Sequence, residues 1–369
     1  MAELYSLEFL CADVKGAEKL FREKVGFTTV ATNGENVVLK QNKAILVLKP
    51  ATCDSERDIL QKSGTICNNV VFKVSQLQAA YDKATRAKAR VIHQPQPLTD
   101  VGGTVNTFTI ASPFPNVTHT VVSTTDYNGV YLPGYQQCAN SIDTPSGISF
   151  VDHIAYACET GTSDDIVKWY EDKLGFAKFK LGADSDDLSV DLSDGPGGAL
   201  KLLAMEYWRC SEKGVRSGGE NDVKIVLVES LPNSGVSNQV SEFLDNNNGP
   251  GVQHVAFHTK DVVSTVTTLK KQGLTTIPIP LEYYSLLDKK SIVDQVSCDT
   301  KSLQENGVLL DSEFDDSSKR YLMQVFSTAL FKKSTFFIEF IQRCGATGFG
   351  AGNITALFKA LELQKASGQ

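Results

Sequence analysis

The sequence predicts an α+β chain of four strand–helix–strand–strand–strand modules, βαβββ, with two modules in each half. Three observations predict it. A strand–helix segment near the start recurs midway along the chain, a second strand–helix segment recurs downstream of each, and short alternating strands follow the helices.

The first pair is Leu7–Phe27, LEFLCADVKGAEKLFREKVGF, and Ile154–Phe176, IAYACETGTSDDIVKWYEDKLGF. Each opens with a short apolar strand, turns through polar residues, and continues into an amphipathic helix. Both helices close on a glycine, Gly26 and Gly175, placed for a left-handed C-cap that other residues adopt only with strain. The second pair is Asn68–Val91 and Gln253–Ile277, each a strand, a polar cap and a helix with apolar residues every three or four positions. Ala44–Leu48 and Val223–Val228 are examples of the later strands. A stretch rich in Gly, Pro, Asn and Ser, Asp126–Gly147, joins the halves. The expected division is 1–135, a linker over 136–148, and 149–369.

Composition is that of an ordinary globular protein. A net charge of −7 argues against a nucleic-acid surface, which needs a positive field. No apolar run approaches the roughly 20 residues of a membrane span. The eight cysteines include no CxxC pair, so they read as buried small hydrophobes rather than a zinc site or disulfide frame. No basic, apolar leader is visible at the N-terminus.

Of five histidines, His153 lies in VDHIAY at the first strand of the third module, and His254 in GVQHVAF at the first strand of the fourth. Glu339 interrupts the otherwise apolar strand FFIEFI, where a buried carboxylate needs a compensating cation. Two histidines and a carboxylate on separate strands can form the facial triad of oxygen-activating Fe(II) enzymes, with three positions left open. Any one of these residues alone is better read as core or edge; their recurrence at matching points of repeated modules favours a metal. His258 shares a strand face with His254 but lies about 13 Å along it, so a structural role is expected. His93 reads as a loop residue. Aligning the modules sets Ser6 opposite His153, Asn69 opposite His254 and His119 opposite Glu339; serine and asparagine are poor iron ligands, so the first half is expected to hold no metal.

The repeat resembles the vicinal-oxygen-chelate (glyoxalase-like) superfamily, which implies two open barrels with mixed sheets, helices outside and metal inside. GPGVQHVAF (249–257), LMQVFS (322–327), FFIEFIQR (336–343) and GFGAGN (348–353) together resemble the 4-hydroxyphenylpyruvate dioxygenase family. That resemblance implies one Fe(II) per chain on His153, His254 and Glu339. It implies a substrate pocket of Gln239, Gln253 and Gln324 with the aromatic walls Phe326, Phe337 and Phe349, completed by Asn353 and Ile354. Strand parity sets Phe337 on the face of Glu339 and Gln324 on that of Phe326, but turns Gln253 away from His254 unless its strand is bulged.

Two departures from the ring-hydroxylating members stand out. Their glycine motif ends in phenylalanine where this chain has Ile354, as 4-hydroxymandelate synthases do, and their Pro-x-Asn-x-Pro-like strand end is replaced by Val228-Glu229-Ser230-Leu231-Pro232. GVYLPG (129–134) and IVLVESLP (225–232) resemble the animal dioxygenase-like branch. The implied reaction takes an aryl pyruvate and O2 to 4-hydroxymandelate and CO2, toward the ubiquinone head group, in mitochondria or alternatively the cytoplasm. Homogentisate formation, extradiol catechol cleavage and a silent scaffold are the competing readings. A short C-terminal helix over Ile354–Leu363 and a homodimer are further implications of the resemblance.

Overall fold

The computed structural model describes residues 2–139, 147–179, 188–190, 200–207, 224–230, 239–294, 299–313, 320–331, 333, 335–350 and 352–353. Ile354 and the helix expected from it lie outside these. The first half runs β1 (Ala2–Leu10), α1 (Val14–Val25), β2 (Thr28–Asn33), β3 (Asn36–Gln41), β4 (Ala44–Lys49), α2 (Asp54–Ser63), β5 (Ile66–Val74), α3 (Leu77–Arg86), β6 (Val91–Asp100), β7 (Gly103–Ala111), β8 (Thr118–Tyr127) and β9 (Gln136–Gln137). The second runs β10 (Ile148–Cys158), α4 (Ser163–Leu174), β11 (Phe176–Phe179), β12 (Leu188–Val190), β13 (Leu200–Tyr207), β14 (Lys224–Ser230), α5 (Gln239–Asn247), β15 (Gly251–Thr259) and α6 (Val262–Lys271). A 3₁₀ turn (Leu281–Ser285), α7 (Leu287–Val293), α8 (Thr300–Asn306), β16 (Leu309–Glu313), β17 (Arg320–Phe326) and β18 (Phe337–Cys344) complete it.

Each half is one curled sheet, ordered β6-β7-β8-β5-β1-β4-β3-β2-β9 and β11-β13-β14-β10-β15-β18-β17-β16, with β12 on β13. The repeat is visible in the pairing. The opening strands of two modules meet antiparallel at the centre (β1 with β5, β10 with β15), and each module's last strand lies parallel to its first. The stretch read as a linker supplies an edge strand, β9, to the first sheet. Gly26 and Gly175 end α1 and α4 in the left-handed conformation, at φ 81° and 82°.

A single apolar cluster spans both halves, with edge-on contacts such as Phe27–Phe257 and Phe9–Phe336 at ring separations of 5.5 and 5.3 Å. Most helices cover the outer faces, as expected, but α5 does not. Its Val240 and Phe243 pack on Ala155, Ala157, Val226 and Val228, the face of the second sheet that carries His153. In the first half the corresponding concave face is filled by Tyr131 of the GVYLPG segment, which is fully buried.

Two local irregularities matter for function. The register of β10 against β15 slips between Val151 and His153, and again between Ala155 and Tyr156. The residues left over are Asp152 and Gln253, each immediately before a histidine. The first sheet slips at the matching places, leaving Tyr5 before Ser6 and Asn68 before Asn69.

One expectation is corrected here. His93 is exposed in edge strand β6 rather than in a loop; its neighbours Pro95 and Pro97 are tolerated in an edge strand, which can forgo ladder donors. His258, expected to be structural, is half-buried and stacks on Phe150 at 4.5 Å.

Candidate metal centre

His153, His254 and Glu339 stand on β10, β15 and β18, the three adjacent central strands of the second sheet. In register, His153 faces Ala256, and Ala256 faces Glu339 across the next pair, while His254 lies one diagonal step away opposite Ala155. One ligand atom from each lies within 4.8 Å of the others, and all three residues are buried. Both imidazole Nε2 atoms point to the same carboxylate oxygen, Glu339 Oε2, at 3.3 Å from His153 and 3.5 Å from His254.

The bulges explain why the imidazoles face inward. In a regular strand, Asp152 would point away from His153's face; the extra residue re-aims it, so that Asp152 Oδ1 meets His153 Nδ1 at 2.9 Å. Gln253 Oε1 reaches His254 Nδ1 at 3.4 Å in the same way. With Nδ1–H donated to these oxygens, each ring presents its Nε2 lone pair to the centre. The bulge also resolves the parity conflict at Gln253.

Glu339 is held on its other oxygen. Gln324 Nε2 donates to Glu339 Oε1 at 2.9 Å and to the Phe349 carbonyl at 3.1 Å. Asn353 Nδ2 donates to Gln324 Oε1 at 2.7 Å, and the Tyr283 hydroxyl donates to Asn353 Oδ1 at 2.8 Å. Phe337 stacks on His254 at 4.7 Å, Phe349 meets His153 edge-on at 5.1 Å, and Phe326 stands 6.2 Å from His254. Gln239 is exposed at the first residue of α5 and, among the described residues, makes no hydrogen bond to the other two glutamines.

Burial alone would raise the pKa of Glu339, but the charge and hydrogen bonds of His153, with those of His254, pull it down to about 2. Burial likewise opposes Asp152, yet the Arg343 guanidinium holds its pKa well below the carboxylate range. His153 is raised despite burial by Glu339 and Asp152, whereas burial wins at His254 and lowers it. This is an anionic, desolvated pocket with two neutral-capable nitrogens. A cation held by all three groups removes the conflict of an ionised carboxylate buried in apolar strands. The donor set fits Fe(II) as a facial triad.

Asp152 and Arg343 complete the centre; both lie inside segments singled out in the sequence, but neither was assigned a role there. The signal for them was a charged residue in each apolar strand, one beside His153 and one four residues beyond Glu339, both needing a partner.

The first half gives the contrast. Ser6 and Asn69 hold the positions of His153 and His254 as the alignment has them, but the third pairing is off by one. Val71, matching Ala256, faces Thr120, so Thr120 and not His119 stands where Glu339 does. His119 turns to the other face, fully buried, with Nε2 2.8 Å from the Tyr170 hydroxyl.

Fold and donor set define a chain of the vicinal-oxygen-chelate type with a buried two-histidine, one-carboxylate triad suited to a single metal ion. The model of the glyoxalase/bleomycin resistance protein/dioxygenase superfamily matches residues 152–284. A 4-hydroxyphenylpyruvate dioxygenase of Dictyostelium discoideum is 31% identical over 339 residues, covering 89% of this chain and 86% of that protein. A human 4-hydroxyphenylpyruvate dioxygenase-like protein is 32% identical over 304 residues, covering 82% and 78%. A solved structure of a substituted 4-hydroxymandelate synthase of Streptomyces coelicolor superposes with a TM-score of 0.78 at 24% identity, over 99% of each chain. The chain belongs to the 4-hydroxyphenylpyruvate dioxygenase family, whose members are Fe(II)-dependent dioxygenases.

Proposed function

We propose that this chain oxidatively decarboxylates 4-hydroxyphenylpyruvate with O2 and hydroxylates its benzylic carbon, giving 4-hydroxymandelate and CO2. The observation that carries the chemistry is the convergence of His153, His254 and Glu339, each steadied by a neighbour. These three residues would hold one Fe(II). When bound, the iron supplies Lewis acidity toward a chelating 2-oxo acid and the electrons that activate O2.

The chain's own residues bind and orient. Gln253 keeps a buried Nε2 donor without a hydrogen-bond partner among the described residues, available to a substrate oxygen. Gln324 and Asn353 fix the carboxylate ligand and the glycine segment in one arrangement. Phe326, Phe337 and Phe349 flank the imidazoles and exclude water, and their rings supply a slot for an aryl group. A shift of about 1 Å in how that ring sits decides which carbon is oxidised.

Benzylic attack is supported by Ile354, an aliphatic residue where ring-hydroxylating relatives place an aromatic one. The competing outcome, homogentisate, is supported by the name and extent of the Dictyostelium match. Incubating the Fe(II)-loaded protein with 4-hydroxyphenylpyruvate and separating the products decides it: 4-hydroxymandelate as main product is expected, and homogentisate overturns the reading. The Ile354→Phe variant is expected to shift product toward homogentisate. The absence of oxygen uptake with any aryl pyruvate would point to a scaffold instead. The proposed setting is mitochondrial, supplying the ubiquinone head group, and subcellular fractionation tests it.

A further inference from the structure

Arg343 sits at the end of β18, four residues past Glu339, and its guanidinium does three things at once. Nε donates to Asp152 Oδ2 and Nη2 to Asp152 Oδ1, both at 2.7 Å, a parallel two-bond fork. Nη1 donates to the Gly348 carbonyl and, at 3.3 Å, to that of Ala346. The guanidinium also lies over the Phe349 ring, 5.4 Å from its centroid. Asp152 Oδ1, held by the fork, is the atom that accepts from His153 Nδ1, and Phe349 is the ring that meets His153 edge-on. One cation therefore touches both the acceptor that orients a metal ligand and the backbone of the glycine segment packed over that ligand.

We propose that Arg343 is a positioning residue that couples the orientation of His153 to the seating of the Gly345–Gly350 segment, so that metal is held at full strength only when that segment is docked. Geometry requires arginine. A lysine ammonium cannot present two parallel donors to Asp152 and a third to Gly348 from one rigid plane. With the fork broken, Asp152 keeps its place in the bulge but can rotate, and the His153 ring loses its fixed tautomer. The same break takes the Arg343 donor away from the Ala346 and Gly348 carbonyls. The coupling is reciprocal: metal that orders His153 also tightens the segment, and a docked segment tightens metal. The proposal rests on the metal centre and not on the choice of substrate.

The test uses Co(II) added to the metal-stripped full chain, without substrate. Affinity is read by titration, ligand geometry by the visible absorption of bound Co(II), and segment order by hydrogen exchange of the peptide spanning 344–353. In the wild type, Co(II) is expected to slow exchange in that peptide at least fivefold. In Arg343→Gln, Co(II) affinity is expected to fall about 10–100-fold, the absorption band to change at saturation, and the exchange protection to disappear. Asp152→Asn, which keeps the shape of the bulge, carries the same expectations, so a fold defect in one variant does not remove the test. Arg343→Gln or Asp152→Asn binding Co(II) with wild-type affinity, band and protection overturns the coupling. A wild type that binds no Co(II) instead overturns the metal centre beneath it.

Discussion

Thr120 faces Val71 across β8 and β5 as Glu339 faces Ala256 across β18 and β15, and its hydroxyl, like Asn69, belongs to a buried network with no imidazole in it. Asn69 donates to Thr120 Oγ1 at 2.9 Å and to Glu8 Oε2 at 2.8 Å, and Lys49 Nζ lies 2.6 Å from the same Glu8 oxygen. Tyr131 closes the network through Ser6 at 2.8 Å. The two halves solve one electrostatic problem differently: a carboxylate on the concave face is neutralised by a side-chain ammonium in the first and suited to a metal ion in the second.

Lys49→Met should therefore strand a nearly buried carboxylate. The cost is expected to be about 2–4 kcal/mol, moderated because Lys49 keeps partial solvent access. Pairing it with Glu8→Gln should recover most of the loss. Urea unfolding of the two variants measures this, and an unchanged single variant would sink it. Metal affinity of the second half should not move.

His119 gives the pH dependence its clearest contribution. Burial pushes its pKa down to about 3, against the 6.5 of an exposed imidazole. Between those values the unfolded chain binds a proton that the folded chain does not, so stability rises with pH. The contribution is full above about pH 6.5 and is lost as pH falls toward 3. Replacing His119 with phenylalanine leaves Tyr170 without that partner and lowers stability overall, but the slope is the informative quantity. Between pH 5.5 and 4 it should shrink by about 1.3 kcal/mol per pH unit relative to wild type. Equal slopes in denaturant titrations would contradict a neutral buried His119.

That histidine also shows where the sequence stops being legible. The strand THTVVS offers polar residues at successive positions, and a one-residue slip reverses every side chain between faces. Sequence alignment alone sets His119 against Glu339; backbone pairing sets Thr120 there. Glu339 was readable because it is the single polar residue in an apolar run, and the histidines because each opens a repeated module. Asp152 was not readable as a partner of His153, because adjacent residues in a regular strand face opposite ways and only the bulge brings them together. The same bulge reconciled Gln253 with its histidine. The path of α5 across the concave face was hidden because apolar periodicity marks a buried side of a helix but not which sheet face buries it.

Gly350 is the position where a single methyl should disturb the centre most. Its φ is +73°, and a Cβ there would lie 1.7 Å from Gln324 Oε1. Gly350→Ala must displace Gln324, which loses its bonds to Glu339 and to the Phe349 carbonyl. Turnover per bound metal is expected to fall about 10–100-fold. Gly352→Ala is the control: its added Cβ meets the Asp311 carboxylate at 2.5 Å, a side chain that can swing aside, and its φ is not left-handed. Similar losses in both variants would show that the segment merely dislikes bulk.

Metal binding should itself be visible as stability, since the ligands converge only in the folded chain. Fe(II) or Co(II) at 100 times its dissociation constant adds about 2.7 kcal/mol to unfolding, and chelation removes it. Glu339→Gln keeps the volume and the contact with Gln324 but takes away the anion that both Nε2 atoms face. Its folded state should survive, because the substitution removes a buried charge rather than creating one. What it should lose is the rise in melting temperature on adding metal, read by calorimetry over a metal series. A variant that still gains the full shift would mean that the ion is held elsewhere. His254→Gln separates the cases further: the same loss at a second strand, with Asp152 and His153 untouched, requires one ion shared by β15 and β18.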